Sequence, residues 1–322
     1  MSAAPPRQSG GRDLGGVAII LTASAFFATL GPLSEFADRG GVSSLTLVAW
    51  RAALGASCVA LVVGARRLGG RSSGLVPLAT IPVRDRWFVA AAAVANTVLN
   101  LSVFIAFQRV GITLSLLVFY LYPAFVALVS VLWMGERLDR LRWAALAVSM
   151  SGMALVVAGA GDLGELDLIG VGLAFVAAMT QVFYVLAARH GFARVPGPQA
   201  AAMTMGGAFL LYLLIAAPIG MLVSLGQPLA SVEALWPVLL AGVLGAGLPT
   251  VSFIIGIRRL GPSPAAILAT LEPVVGVALA AWLLAEQPTS VQLIGGAFIL
   301  AAAVLLQLRP AGPVADHEAV QG

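Results

Sequence analysis

The sequence predicts an all-α integral membrane protein of ten transmembrane helices arranged as two inverted five-helix repeats, and three observations predict it. The chain is 60% hydrophobic and only 10% charged over 322 residues, with a mean hydropathy of +1.00. Its apolar residues fall in long, unalternating runs bounded by charge, Gly or Pro. An offset of 150 residues (259 − 109) lays one half of the chain on the other.

A globular interior of this length cannot hide so much apolar surface, so a soluble domain is excluded. A helix needs about 20 mostly apolar residues to cross the hydrocarbon core, and a barrel strand about 10 that alternate. The runs here are of the first kind. All 18 cationic residues are Arg, which removes Lys nucleophile and Schiff-base chemistry. Cys58 is the single cysteine and stands in an apolar run, so no disulfide forms within the chain. His190 and His317 fall in a loop and the tail, leaving no His-based metal site. No Gly-x-x-x-x-Gly-Lys loop is present, which excludes an ATP-driven pump, and no cofactor is expected. The Arg-rich loops serve topology and call for no nucleic-acid partner.

Taken in order, residues 1–13 are a polar N-terminus with Pro5, Pro6, Arg7 and Arg12. The apolar run behind them has the look of a signal-peptide core, but so many runs follow that it reads as an uncleaved first span. The spans fall near 14–34, 43–65, 87–107, 112–134 and 143–160, then 168–188, 199–223, 235–257, 264–285 and 290–308. Tight hairpins at 108–111 and 258–263 separate two pairs of them. The arginines test the count, because Arg-rich short loops stay cytoplasmic. With the N-terminus inside, Arg66, Arg67, Arg71, Arg84, Arg86, Arg137, Arg140, Arg142, Arg189, Arg194, Arg258, Arg259 and Arg309 all fall inside. Only Arg39 and Arg109 fall outside, with the acidic loop of Asp162, Glu165 and Asp167. Nine or eleven spans would put a block of arginines on the wrong face. Both termini, including the tail 309–322, are expected in the cytoplasm.

The offset lays Arg109-Val110-Gly111 on Arg259-Leu260-Gly261 and matches Leu121 with Leu271, Pro123 with Pro273 and Glu136 with Glu286. Gly16-Val17 aligns with Gly170-Val171 at a slightly different offset. The expected repeats are 14–160 and 168–308. Five is odd, so the second copy enters the bilayer from the opposite side. Inverted repeats recur in secondary transporters because two half-structures of opposite orientation can exchange roles, opening a shared site to one side and then the other.

Trp50-Arg51 in the second span, Leu121-Tyr122-Pro123 in the fourth and Gly135-Glu136 at its end are repeated in kind by Leu271-Glu272-Pro273, Glu286 and Ile294-Gly295-Gly296. In this order and spacing they resemble the EamA family of the drug/metabolite transporter superfamily, over about residues 14 to 308. Ala285 departs from the Gly usual before the second Glu. The resemblance implies a permease of the plasma (inner) membrane with a substrate cavity between the repeats, exporting amino acids, other metabolites or xenobiotics.

Arg51 stands about 12 Å inside the outer end of its span, near the limit of snorkelling. It reads either as a bidentate donor to a substrate carboxylate or phosphate, or as a structural Arg tied to backbone carbonyls or an acidic side chain. Glu272 is the one carboxylate set well within a span, followed by Pro273, which frees a carbonyl and permits a kink. It reads as a proton-coupling or substrate-amine group, or as a carboxylate bound to a polar neighbour such as Arg51. Its repeat counterpart is Tyr122. Asn96 and Asn100 share one face, with Ala246 and Thr250 at their repeat positions, and bind ligand or bond between helices. Thr180, Gln181, Tyr184 and Tyr120 complete a candidate wall. Tyr120 and Tyr122, two apart, reach one cavity only if the helix is irregular near Pro123. Gly152, Gly242, Gly245, Gly247, Gly295 and Gly296 read as close helix packing, and Glu136 and Glu286 as capping or loop-fixing groups.

The expected function is a secondary transporter working by alternating access on a small-molecule substrate, with the lipid bilayer as its other partner. One chain holds both halves, so a monomer suffices. An intramembrane enzyme would gather His, Asp or Ser groups at one place, and a scaffold would not need an Arg and a Glu buried in different halves. In a background lacking Cys58, cysteines placed at 162–167 react with an impermeant thiol reagent from outside, and those beside Arg67 or Arg140 do not. Reversed labelling overturns the topology.

Overall fold

The computed structural model describes residues 14–69, 74–122, 124–126, 128–129, 140–159, 166–190, 192, 194–260, 268–269 and 271–308, and no β-strand occurs among them. The helices are α1 (Leu14–Ala28), α2 (Leu30–Arg39), α3 (Ser44–Leu68), α4 (Val83–Phe119), α5 (Arg140–Ala158), α6 (Leu168–His190), α7 (Gly197–Ala216), α8 (Val232–Gly242), α9 (Leu248–Leu260), α10 (Leu271–Leu284) and α11 (Ser290–Leu308). A π-helical segment, Val243–Gly247, joins α8 to α9, and short 3-10 turns occur at Leu78–Thr80 and Val223–Leu229.

Among the described residues, 6 helical stretches are long and apolar enough to cross a membrane: Leu14–Arg39, Ser44–Arg66, Val83–Phe119, Leu168–Ala187, Gly197–Ala216 and Val232–Phe253. Shorter apolar helices cover Trp143–Val156, Leu271–Leu284 and Ser290–Ala302. This is a multi-pass membrane protein. Large apolar side chains such as Leu214, Phe183, Trp282 and Phe298 lie on its surface, as a hydrocarbon solvent requires.

Stretched as one rod, the 37 residues of α4 would reach about 55 Å, well beyond the ~30 Å hydrocarbon core. It is not one rod. Gly111, at φ 77° and ψ 166°, leaves the helical region and divides α4 within the 108–111 hairpin. The second arm starts on the carboxylate of Glu286, whose Oε1 accepts the Ile112 N–H at 2.7 Å and whose Oε2 accepts the Thr113 N–H at 3.0 Å and hydroxyl at 2.6 Å. Two orphan amides at a helix start are thereby satisfied from the other half of the chain. Glu286 thus takes the capping role expected of it. Its counterpart Glu136 lies outside the described residues, as do Pro123, Gly135, Gly261, Asp162 and Glu165.

Beside this turn, Arg109 pairs with Asp167 at 2.7 Å, and Asp167 accepts the Ile169 and Gly170 amides at the start of α6. The Gly170 N–H foremost, then the Arg109 guanidinium, hold the Asp167 carboxyl below the usual carboxylate range.

Helix packing carries the signature of duplication. Exchanging α1–α5 with α6–α11 turns the contact of α1 with α9 into that of α6 with α4. It turns the contact of α4 with α7 into that of α8 and the π segment with α3, and returns α3 on α7 and α5 on α11 to themselves. The α5–α11 contact is backbone on backbone: a Cβ added at Gly152 would stand 2.6 Å from the Gly295 carbonyl oxygen. The Val223–Leu229 turn is strapped over the start of α3, where the Trp50 indole donates to the Leu225 carbonyl at 2.8 Å and Thr46 to that of Ser224 at 3.2 Å.

Candidate functional site

Helix α3 carries Arg51 into the contact between the two halves, and its guanidinium finds only neutral acceptors there. Nη1 donates to Asn100 Oδ1, and Nη2 donates to the Gly245 carbonyl at 3.0 Å. Gly245 can accept because it lies in the π segment, where the wider turn breaks the regular i−4 pairing. A side chain there would also collide, since a Cβ would sit 2.0 Å from a Leu30 methyl. The guanidinium carbon stands 5.7 Å from the centre of the Phe104 ring. Arg51 Nε is buried with no partner, the one such side-chain nitrogen or oxygen among the described residues.

The first arm of α4 supplies the amides. Asn100 Nδ2 donates to the Asn96 carbonyl at 2.7 Å and to its Oδ1 at 3.0 Å, so the pair expected on one face does share it. A small cavity of ≈ 30 Å³ lies beside them, lined by Val48, Arg51, Ala52, Asn96, Asn100, Met205, Tyr212 and Ala246. It has room for about two waters or a group of carboxylate size. The Tyr212 hydroxyl donates to the Thr97 carbonyl at 3.3 Å.

A second polar group gathers at the first turn of α10. The Tyr120 and Tyr122 side chains lie near the Glu272 carboxylate. The two tyrosine rings are 5.7 Å apart, with Phe119 packed on both. Two residues two apart converge because α4 ends at Phe119 and Tyr120–Leu121 form a turn, the irregularity that the sequence required at this point. Arg51 and Glu272 interact through space, but they are not an ion pair. The expected pairing of Glu272 with Arg51 is not among the salt bridges of the described residues.

The remaining candidates stand apart from the cavity. Tyr184 packs against a buried cluster that includes Ile81, Val89, Ala187 and Phe192. Thr180 bonds back to the Val176 and Ala177 carbonyls of its own helix. Gln181 and Thr250 are half-buried and do not line the cavity. Sequence reasoning passed over Tyr212, Met205 and the Gly245 carbonyl. Tyr212 is one of only 4 tyrosines in the chain, and the closely spaced Gly242, Gly245 and Gly247 signal backbone irregularity as well as packing.

The sequence model of the EamA-like transporter family matches residues 14–158 and again 168–308. A relative from Streptantibioticus cattleyicolor, described as a probable terminal-alkyne amino-acid exporter, is 29% identical over 300 residues, covering 92% of this chain and 94% of that one. A protein of known crystal structure shares the fold with a TM-score of 0.63 at 22% identity, covering 92% of this chain and 97% of that one.

Replacing Asn100 with Ala leaves the Arg51 Nη1 donor without its acceptor and lowers thermal stability in detergent by about 1–3 kcal/mol. Asn100→Asp places an anion against the same donor and raises the melting temperature above that of Asn100→Ala. Equal melting temperatures for the two variants and the parent would show that Asn100 does not hold Arg51.

Proposed function

The chain belongs to the EamA-like transporter family, and from that premise we propose that it is a secondary transporter exporting small carboxylate-bearing metabolites, amino acids foremost, across the plasma (inner) membrane. In this reading ten spans form two inverted repeats, 14–160 and 168–308, with both termini in the cytoplasm. The polar N-terminus 1–13 and the tail 309–322 lie outside the transport unit.

The observation that carries the reading is that Arg51, whose Nε has no partner, lines a cavity shared by both halves. A buried cation held only by neutral groups keeps its attraction for an anion, and guanidinium geometry suits a carboxylate. The Streptantibioticus cattleyicolor relative, described as an amino-acid exporter, supports the same class of cargo. Glu272 and its tyrosines form the opposite pole. The Glu272 carboxylate takes either a proton or the ammonium group of a zwitterion, and that exclusion couples the two. A proton loaded from outside displaces the amine on one side, and release of the proton inside readies the site for the next substrate. Asn96 and Asn100 hold Arg51 in register, and Tyr120 and Tyr122 hold Glu272. Gln181, Tyr184 and Thr250 join only if the cavity widens as the halves move, which a whole amino acid requires given the ≈ 30 Å³ now present.

Purified protein in vesicles tests this with radiolabelled amino acids. The parent exchanges substrate and is stimulated by an imposed pH difference. Arg51→Ala inserts normally but loses exchange, whereas Glu272→Gln keeps downhill exchange and loses the pH stimulation. Full exchange by Arg51→Ala, or full pH-driven transport by Glu272→Gln, contradicts the assigned roles.

A further inference from the structure

Two residues of the cavity beside Arg51 share it with their own repeat counterparts, and the members of each pair are chemically opposite. With the offset of the first helices of the two halves, 154 residues (170 − 16), Met205 takes the place of Arg51. With the offset of 150 (259 − 109), Ala246 takes the place of Asn96. Both pairs line the one cavity. Its first-repeat wall carries a guanidinium and two amides. On the second-repeat side, Met205, Ala246 and the ring of Tyr212 meet it, the Tyr212 hydroxyl being engaged by the Thr97 carbonyl.

We propose that Met205 and Ala246 form a specificity wall that selects substrates with an apolar side chain, while Arg51 holds the acidic head. The proposal rests on the carboxylate reading of Arg51 above. Duplication places the two walls face to face, so a ligand anchored at one projects onto the other. A polar side chain directed at this wall loses its hydration and finds neither donor nor acceptor there, which disfavours it. The wall is also tight: a Cβ at Gly55 would stand 2.9 Å from the Met205 sulfur and 3.0 Å from the Ala246 methyl. Glycine at position 55 keeps both against the cavity. The unbranched thioether of Met205 adapts to apolar groups of differing shape, and the single methyl of Ala246 leaves the space they fill.

The experiment measures exchange of L-norvaline and L-asparagine, amino acids of similar size, by the full-length protein in vesicles. The parent prefers norvaline. Met205→Gln, which keeps the length of the side chain, lowers the ratio of norvaline to asparagine exchange by about tenfold. Ala246→Asn, checked for insertion and a single monodisperse species, lowers it in the same direction, and Ala246→Ser provides the smaller polar change should Asn disturb packing. A parent that exchanges both probes alike, or a ratio unmoved by Met205→Gln and Ala246→Ser, overturns the wall and leaves the carboxylate reading standing. If the parent exchanges neither probe, that reading fails, and the wall falls with it.

Discussion

A guanidinium taken into a membrane protein has to be held, and Arg51 is held without being neutralised. A carboxylate within contact would have given a stronger clamp, but it would have used the charge. Here an amide oxygen and a backbone carbonyl take one donor each from Nη1 and Nη2, Nε is left without a partner, and the residue lines a cavity. Three features of the fold follow from that arrangement. Asn100 must be fixed, which Asn96 does from one turn away. A carbonyl must be released from a helix, which the π segment does at Gly245. The first and second halves must approach closely enough to supply both, and glycines at the crossings permit it.

The same economy appears at the opposite pole. Glu272 sits in the first turn of its helix, near two tyrosines and in no salt bridge with the arginine. Two ionisable groups of opposite sign thus stand in the same protein interior without forming a salt bridge. A zwitterion has that distribution of charge. At the hairpins, by contrast, charges are paired or hydrogen-bonded, as with Asp167 on Arg109 and Glu286 on the second arm of α4. Those contacts fasten loops.

Much of this was legible in the sequence, for reasons that differ from residue to residue. Helix positions follow from apolar runs, so helices begin at Leu168 and Ser290 where runs begin. Asn96 and Asn100 are four apart, and helical geometry alone puts them together. Tyr120 and Tyr122 required a break in the helix, and the nearby proline announced it. What stayed hidden depends on contacts between distant segments. Nothing local says that Tyr184 packs on the cluster of Ile81, Val89 and Phe192 while Tyr212 turns to Thr97, or that a carbonyl of a glycine-rich segment finds Arg51. The repeat offset could have paired Met205 with Arg51, but an apolar residue opposite an arginine attracts no notice until both are seen to line one cavity.

The most direct measurement of whether an acidic metabolite passes Arg51 is an untargeted comparison of the metabolites outside cells that lack the protein, cells that express it, and cells that express Arg51→Lys at the same level. The lysine variant keeps the charge but lacks the planar fork that grips a carboxylate. The parent is expected to enrich the medium in one or a few carboxylate-bearing compounds, and the Arg51→Lys cells to match those without the protein. An enrichment made only of compounds lacking an acidic group, or one that persists unchanged with Arg51→Lys, contradicts the central role given to this arginine.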